Sequence, residues 1–473
     1  MWYISLAFGA NIKHLSHPQR RALSCKILFW NPLCLAQDLL SKSCANLCKF
    51  IEKILYQPDF VARHRLSPNA FLRNRILSFQ IIVVFLLNFM RGSYQDELDQ
   101  FFRNFKGYKI ARRIVTKSAL SKARKKLSYQ AFVELNQHQT RFFDQEFSPR
   151  TWNGFRLAVF DGSTVRLPHT DEIADHFGVW NVRQGDPCPM ARLSQMFDPL
   201  NKISLDAVIA PKAVGERDLA ILHCQYLHKN HLVLLDRGYP AFWFFKLIIS
   251  RNAQFCARIS ETKWTVVRKF SRSGKTEQII EVPPPLSSLE KCRELGLNVE
   301  PLRCRLIRIE LPSGQTEILI TSLLNSELFP RDLFMELYHC RWPIEEDYKV
   351  MKVWLTLENF SGKSALSIYQ DFHAKIFAKN LTSIMAYSVA DEIEGQRTGC
   401  LHRYQINFAQ ALSKSKHSFV LFFQRSQRQT VRLIDSLLDI FTKTVEAIRP
   451  GRAYPRNLKP SPRKFFLNYK PIC

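Results

Sequence analysis

Two short apolar runs that each end on an aspartate constrain this chain most. One lies in LAVFDGSTVRLP and ends on Asp161; the other, in HLVLLDRGYP, ends on Asp236. Continuous apolar runs of this length, closed by turn residues, read as strands buried on both faces. Between them, MFDPLNKISLDAVIAPK reads as two strands around the turn Asp198-Pro-Leu-Asn-Lys, and ERDLAILHCQYLH as a helix with its acids in the first turn. FWFFKLIIS is a helix and QFCARIS a strand. The order is strand(Asp), strand, strand, helix, strand(Asp), helix, strand. It predicts an α/β core, a mixed sheet flanked by helices, with the two aspartates at adjacent strand ends where one metal ion can bridge them.

A third carboxylate comes from YHCRWPIEEDYKVMK. On a helix, Tyr338, Arg341, Glu345 and Lys352 fall within about 60° of one another, so an aromatic, a carboxylate and two cations share a face. Glu346 and Asp347 point about 100° and 200° away from Glu345 and are excluded. Pro343 leaves two readings: a kink inside one helix, or the first residue of a new one with Glu345 near its positive end. Two strand-end aspartates and a helical glutamate are what a divalent-metal phosphoryl-transfer site needs, because carboxylate oxygens suit Mg²⁺ and leave room for water and phosphate. A surface helix with paired charges is the plain alternative. It does not account for the two upstream aspartates.

The tyrosine, arginine, glutamate and lysine at these spacings, with the preceding DGS and DRGY aspartates, resemble the signature of the DDE transposases of the insertion-sequence-4 family, which are bacterial cut-and-paste enzymes. The resemblance covers roughly residues 110 to 390 and implies a ribonuclease-H-like catalytic core, the fold whose strand order is read above. It implies that Asp161, Asp236 and Glu345 hold two Mg²⁺ or Mn²⁺ ions, with Arg341 and Lys352 on phosphates and Tyr338 packing or bonding phosphate. It implies water-driven cleavage at a transposon end, a hairpin on the opposite strand and joining to target DNA. The partners are then double-stranded DNA, as terminal inverted repeats and target, and a second copy of the chain on that DNA, in a bacterial cytoplasm. Plain alternatives stand beside these roles: Tyr338 as a core aromatic, and Arg341 as the ion-pair partner of Glu345.

Between QFCARIS and the Glu345 segment, TKWTVVRKF, TEQIIEV, LRCRLIRIEL and TEILITSLL read as strands separated by Gly- and Pro-containing turns. They form a β-rich insertion at about 261–328 within a catalytic domain at 151–390. Trp264 in this insertion either stacks on an unpaired base or packs in a core.

Charge points to the same partner. Sixty-eight Lys and Arg against 41 Asp and Glu leave a formal +27, and a single-sign excess of this size implies a polyanion, with nucleic acid ahead of an acidic membrane surface. Residues 46–150 read as a helical domain, and SALSKARKKLS within it resembles the amino-terminal helical region of the same family, which implies that this domain binds DNA ends. Within it ARRIVTKSALSKARKKLSYQ (111–130) carries Arg112, Arg113, Lys117, Lys122, Arg124, Lys125 and Lys126 and no acid. Such a basic helical stretch lies against DNA phosphates or is simply a solvated face.

Residues 1–45 read as an N-terminal extension without a clear period, and 391–473 as a helical C-terminal region with a basic tail from 449. The 12 cysteines lack the paired spacing of a zinc site and read as reduced thiols. Ile76–Met90 is too short to span a bilayer and reads as a buried helix. Two other classes stay open: a catalytically inactive or repurposed transposase-derived DNA-binding protein, and a metal-dependent nuclease without strand transfer.

Overall fold

The structure, a computed structural model, describes residues 32–449 apart from 182–185, 311–313, 398 and 424–425. Its centre is a nine-stranded mixed sheet. The strands are β1 (Arg156–Arg166), β2 (Val179–Trp180), β3 (Cys188–Asp198), β4 (Ile203–Ala210), β5 (His231–Leu235), β6 (Gln254–Ile259), β7 (Glu277–Val282), β8 (Leu302–Glu310) and β9 (Thr316–Thr321). They lie in the order β2-β3-β1-β5-β6-β9-β8-β7, with β4 also paired to β3. β3 runs antiparallel to β1 and β4 to β3, whereas β5 is parallel to β1 and β6 to β5.

The run Leu157–Phe160 is apolar throughout because both faces of β1 are covered. Leu157 and Val159 join Leu232 and Leu234 in one core layer, and Ala158 and Phe160 join Val233 and Leu235 in the opposite one. The residues between 261 and 328 do not form a separate β unit. β9 pairs with β6, so β7, β8 and β9 prolong the central sheet. One strand expected there is a helix: Thr265–Arg272 is helical, with Val267 and Phe270 buried on one side. A further helix, Leu286–Glu294, separates β7 from β8.

The N-terminal and C-terminal helical regions, expected as separate, share one core. Leu47, Phe85, Phe101, Phe132 and Phe143 pack in the same cluster as Phe377, Leu381, Leu438 and Phe441. The helix Ala365–Ser388 is buried along nearly its whole length and serves both bodies. Its Ile368, Phe372 and Ile376 cover the sheet, and its Phe377, Leu381 and Met385 face the helical core.

The helix Pro32–Leu55 begins inside the segment read as an extension, with Cys44 and Cys48 buried as free thiols. The expectations for 1–31 and for the basic tail beyond 449 lie outside the described residues. Within Ile76–Met90, Phe79–Leu86 is a buried helix capped by Ser78. No described helix is long and apolar enough to cross a membrane. After residue 390, helices alternate with a two-stranded ribbon, Arg403–Ile406 with Val445–Ile448.

Candidate active site

The β1–β5 register creates the site. Phe160 stands opposite Leu235, the last pair of the parallel ladder, so Asp161 and Asp236 follow side by side. Side chains alternate along a strand, and Asp161 therefore points with Val159. The same alternation, carried one residue past β5, sends Asp236 with Leu234. Both project toward the core layer that contains Ile344, Tyr348 and Met351 of the Glu345 segment.

That segment is not one helix. Leu333–His339 is a first helix, Pro343–Lys349 a second with proline at its start, and Val350–Trp354 a π-turn. The single shared face predicted for the four signature residues is thus replaced by three short pieces. The physical reason is Pro343, which has no N–H to continue the first helix but suits a helix start. The pieces still converge. Tyr348 Oη donates to the Asp161 carbonyl oxygen at 2.8 Å, and Lys352 Nζ donates to Ser163 Oγ at 2.7 Å. Burial holds the Lys352 ammonium below its ordinary pKa, against the pull of Glu358 and Asp161.

The carboxylates surround a buried guanidinium. Arg341 donates to Glu345 Oε1 at 3.3 Å and sits in the field of Asp236 and Asp161, with its cation over the Tyr338 and Trp342 rings. Arg258 on β6 reaches Asp236 at 3.2 Å and also pairs with Glu317. Burial pushes the Asp161 carboxyl up to about 6; the Gly162 N–H and Arg341 oppose this, and the charges of Glu216 and Asp236 add to it.

Among the described residues, no three acidic, histidine or cysteine side chains close into a metal cage. The two guanidinium groups stand among the acids instead. The donor set itself, carboxylate oxygens alone, fits Mg²⁺ or Mn²⁺. Arg341 Nε and Tyr338 Oη are buried without hydrogen-bond partners, which leaves donors beside the acids for a phosphate oxygen.

Asp347, set aside on the sequence, is an anchor. It accepts from Lys379 Nζ at 2.6 and 2.7 Å and from Gln195 at 2.7 Å, all buried, and so ties the Glu345 helix to β3 and to the long helix. Glu216, Tyr239 and Arg258 were not singled out on the sequence. Glu216 opens the helix Glu216–His223 and accepts from Tyr239 Oη at 3.3 Å, while the neighbouring Arg217 donates to the Gly238 carbonyl at 2.7 Å. The signal for Glu216 was its place in the first turn of a helix that leads straight into the Asp236 strand.

The basic stretch divides. Only Lys117–Arg124 is helical, whereas 111–116 precede it as an irregular segment. Lys122, Lys125 and Lys126 are exposed; Arg112 lies over the Tyr108 ring and Arg113 pairs with Asp99. Arg124 does not face outward. It is buried, bonds Gln370 and Ser361, and pairs with Asp371 at 2.7 Å, which locks its helix to Ala365–Ser388 and removes it from any surface DNA contact. Lys122 and Lys126 instead border a groove of about 820 Å³ that they line together with Arg73 and Arg75, whereas Lys125 lines a separate hollow beside Ser121 and Lys363. Trp264 sits ahead of the helix Thr265–Arg272 with its ring edge-on to Phe245 at 6.0 Å.

Two carboxylates at neighbouring parallel strand ends, roofed by a helix that brings a third, form one acidic cluster at the edge of the sheet. Residues 152–381 match the family model described as a transposase DDE domain. Over these residues the chain carries a transposase DDE domain, and it resembles the DDE transposases of the insertion-sequence-4 type. It is 21% identical over 358 residues to the transposase InsG for insertion sequence element IS4 of Escherichia coli (strain K12), covering 75% of this chain and 79% of that one. A piggyBac transposase solved as a synaptic complex with hairpin DNA overlays with a TM-score of 0.44 at 9% identity, across 86% of this chain and 87% of that one. That likeness is too low to carry an inference.

Proposed function

We propose that this chain catalyses metal-dependent cut-and-paste DNA transposition on a ribonuclease-H-like core, with Asp161, Asp236 and Glu345 as catalytic carboxylates. The observation that carries the proposal is the β1–β5 register, with Asp161 and Asp236 following the last ladder pair beneath the Glu345 helix. The strand pairing β4-β3-β1-β5-β6, antiparallel in its first three members and parallel in its last three, supports the ribonuclease-H-like reading.

Two Mg²⁺ or Mn²⁺ ions held by such carboxylates supply an activated oxygen nucleophile and neutralise the leaving oxyanion. The protein's own groups do the rest. Arg341 gives its unpartnered Nε to a non-bridging phosphate oxygen, and its guanidinium exchanges Glu345 for that phosphate as DNA enters. Lys352, anchored on Ser163, offers a second cation to the strand. Tyr348 fixes the helix to the Asp161 peptide, so the third carboxylate is presented at one height above the sheet. Trp264, half-buried and perpendicular to Phe245, is a base-stacking candidate.

In this reading, cleavage at the transposon end frees a 3′-hydroxyl, which attacks the opposite strand to form a hairpin; after opening, the ends join target DNA. Inverted-repeat DNA is gripped by the helical region through exposed cations such as Lys122, Lys125 and Lys126, and the chain acts as a dimer on it. The test is cleavage of end-containing DNA in Mg²⁺ and in EDTA. Nicking at the end in Mg²⁺ alone supports the proposal; equal cleavage in EDTA overturns it.

A further inference from the structure

The acids described so far come from β1, the end of β5 and the helix above them. A fourth comes from the other side of the sheet. β1 continues to Arg166 while β5 stops at Leu235, so the edge of β1 beyond Asp161 has no partner strand on the β5 side. Groups from both sheet faces meet in that gap. Glu216 enters it from the helix Glu216–His223, which packs with the layer of Phe160 and Leu235 through Ala220.

The fit is close. A β-carbon added at Gly162, the residue after Asp161, would overlap the Glu216 carboxylate and push it aside, so glycine there leaves room for it. Tyr239, three residues after Asp236, is buried and aims its hydroxyl at Glu216 Oε1. Arg217 fastens the same helix turn to the Gly238 carbonyl. Glu216 and Gly162 together line a cavity of about 250 Å³ with Ser163 and Arg192. Across the site, Arg341 and Tyr338 are more than nine-tenths buried and hold donor atoms with no partner, as a site built to receive an anion bound to cations would.

We propose that Glu216 is a fourth carboxylate of the catalytic centre, sharing with Asp161 one of the divalent cations. The assignment rests on the transposase reading above. An acid in a first helical turn also complements the helix dipole, and a role of that kind would leave cation binding untouched.

The test is calorimetric titration of the full chain with Mn²⁺, on wild type, Glu216→Gln and Asp161→Asn. Glutamine keeps the size of Glu216 and its acceptor for Tyr239 and removes only the charge. The expected result is Mn²⁺ affinity about tenfold or more weaker in Glu216→Gln. Wild-type affinity in Glu216→Gln, with binding lost in Asp161→Asn, overturns the fourth-carboxylate role and leaves the transposase reading standing. Wild-type affinity in both overturns the two together. If Glu216→Gln does not fold, Gly162→Ala displaces the carboxylate without changing its charge and carries the same expectation: weaker Mn²⁺ binding supports the role, and unchanged binding rejects it.

Discussion

Arg341 bonds Glu345 at 3.3 Å while its guanidinium also lies in the fields of Asp161 and Asp236. A single buried cation therefore balances acids from two strands and a helix. Carboxylates gathered this way repel one another, and each added positive charge relieves that repulsion. The arrangement stores an affinity for cations that the guanidinium meets only in part.

The first prediction follows from that balance. Replacing Asp161, Asp236 or Glu345 with alanine lowers end cleavage by about 10²–10³-fold or more. Binding to end DNA persists, because the basic groove is remote from the acids in the chain. A cleavage assay beside a gel shift checks both halves. Wild-type nicking in any of the three variants removes that residue from the catalytic set.

The second concerns pH. The folded Asp161 carboxyl is raised to about 6, above its value in an unfolded chain, so the folded state binds its proton more tightly. Between roughly pH 4 and pH 6 the folded state holds a proton that the unfolded state has released, and stability falls as pH rises through this window. Without divalent ions, wild type loses on the order of 3 kcal/mol more than Asp161→Asn between pH 4 and pH 7. Denaturant melts of both proteins in EDTA measure the difference; parallel pH profiles would refute it.

The third separates two kinds of cation within one basic stretch. Replacing Lys122, Lys125 and Lys126 together with glutamine flattens the slope of log K against log salt by up to roughly 2.7 on duplex DNA, since each lost phosphate contact removes about 0.9. Metal-dependent cleavage of pre-bound DNA survives. An unchanged slope shows that these lysines are only solvated.

Arg124 behaves otherwise. Its deletion leaves Asp371 buried and without its cation, and Arg124→Ala costs about 3–5 kcal/mol in unfolding free energy. Chemical denaturation reports this. Stability near wild type would mean that the buried pair relaxes toward water.

The fifth concerns Asp347. Its removal strands Lys379, which is fully buried with Asp347 and Ser204 as partners. Asp347→Ala is expected to destabilise by about 3–5 kcal/mol and to lower cleavage without weakening end binding. Cleavage at the wild-type rate would show that the Glu345 helix holds its place without this anchor.

The residues that were legible are those whose placement depends on local pattern. Asp161 and Asp236 announced themselves because a strand buried on both faces leaves an unbroken apolar run, and a polar residue at its end is conspicuous. Pro343 admitted two geometries, and the missing N–H decided between them. Thr265–Arg272 was misread as a strand because Val266 and Val267 favour strands locally. The spacing of Trp264, Val267 and Phe270, three residues apart, carried the helical period that the structure obeys. Arg124 looked like its basic neighbours, since its partner Asp371 is remote in sequence. Glu216 was hidden by a commonplace: an acid in the first turn of a helix needs no ligand to explain it.

The helix Ala365–Ser388 gives its two sides to two different cores. A fragment trimmed to the matched residues 152–381 would cut this helix at Leu381 and strip the aromatic shell from Phe377 and Leu381, baring a sticky stripe beside the central sheet. The sheet is therefore not a cassette detachable from the helical core. One helix is fastened at Asp371 to the Arg124 of the lysine-bearing helix and at Lys379 to the Asp347 of the helix that roofs the acids, so a single element joins the two.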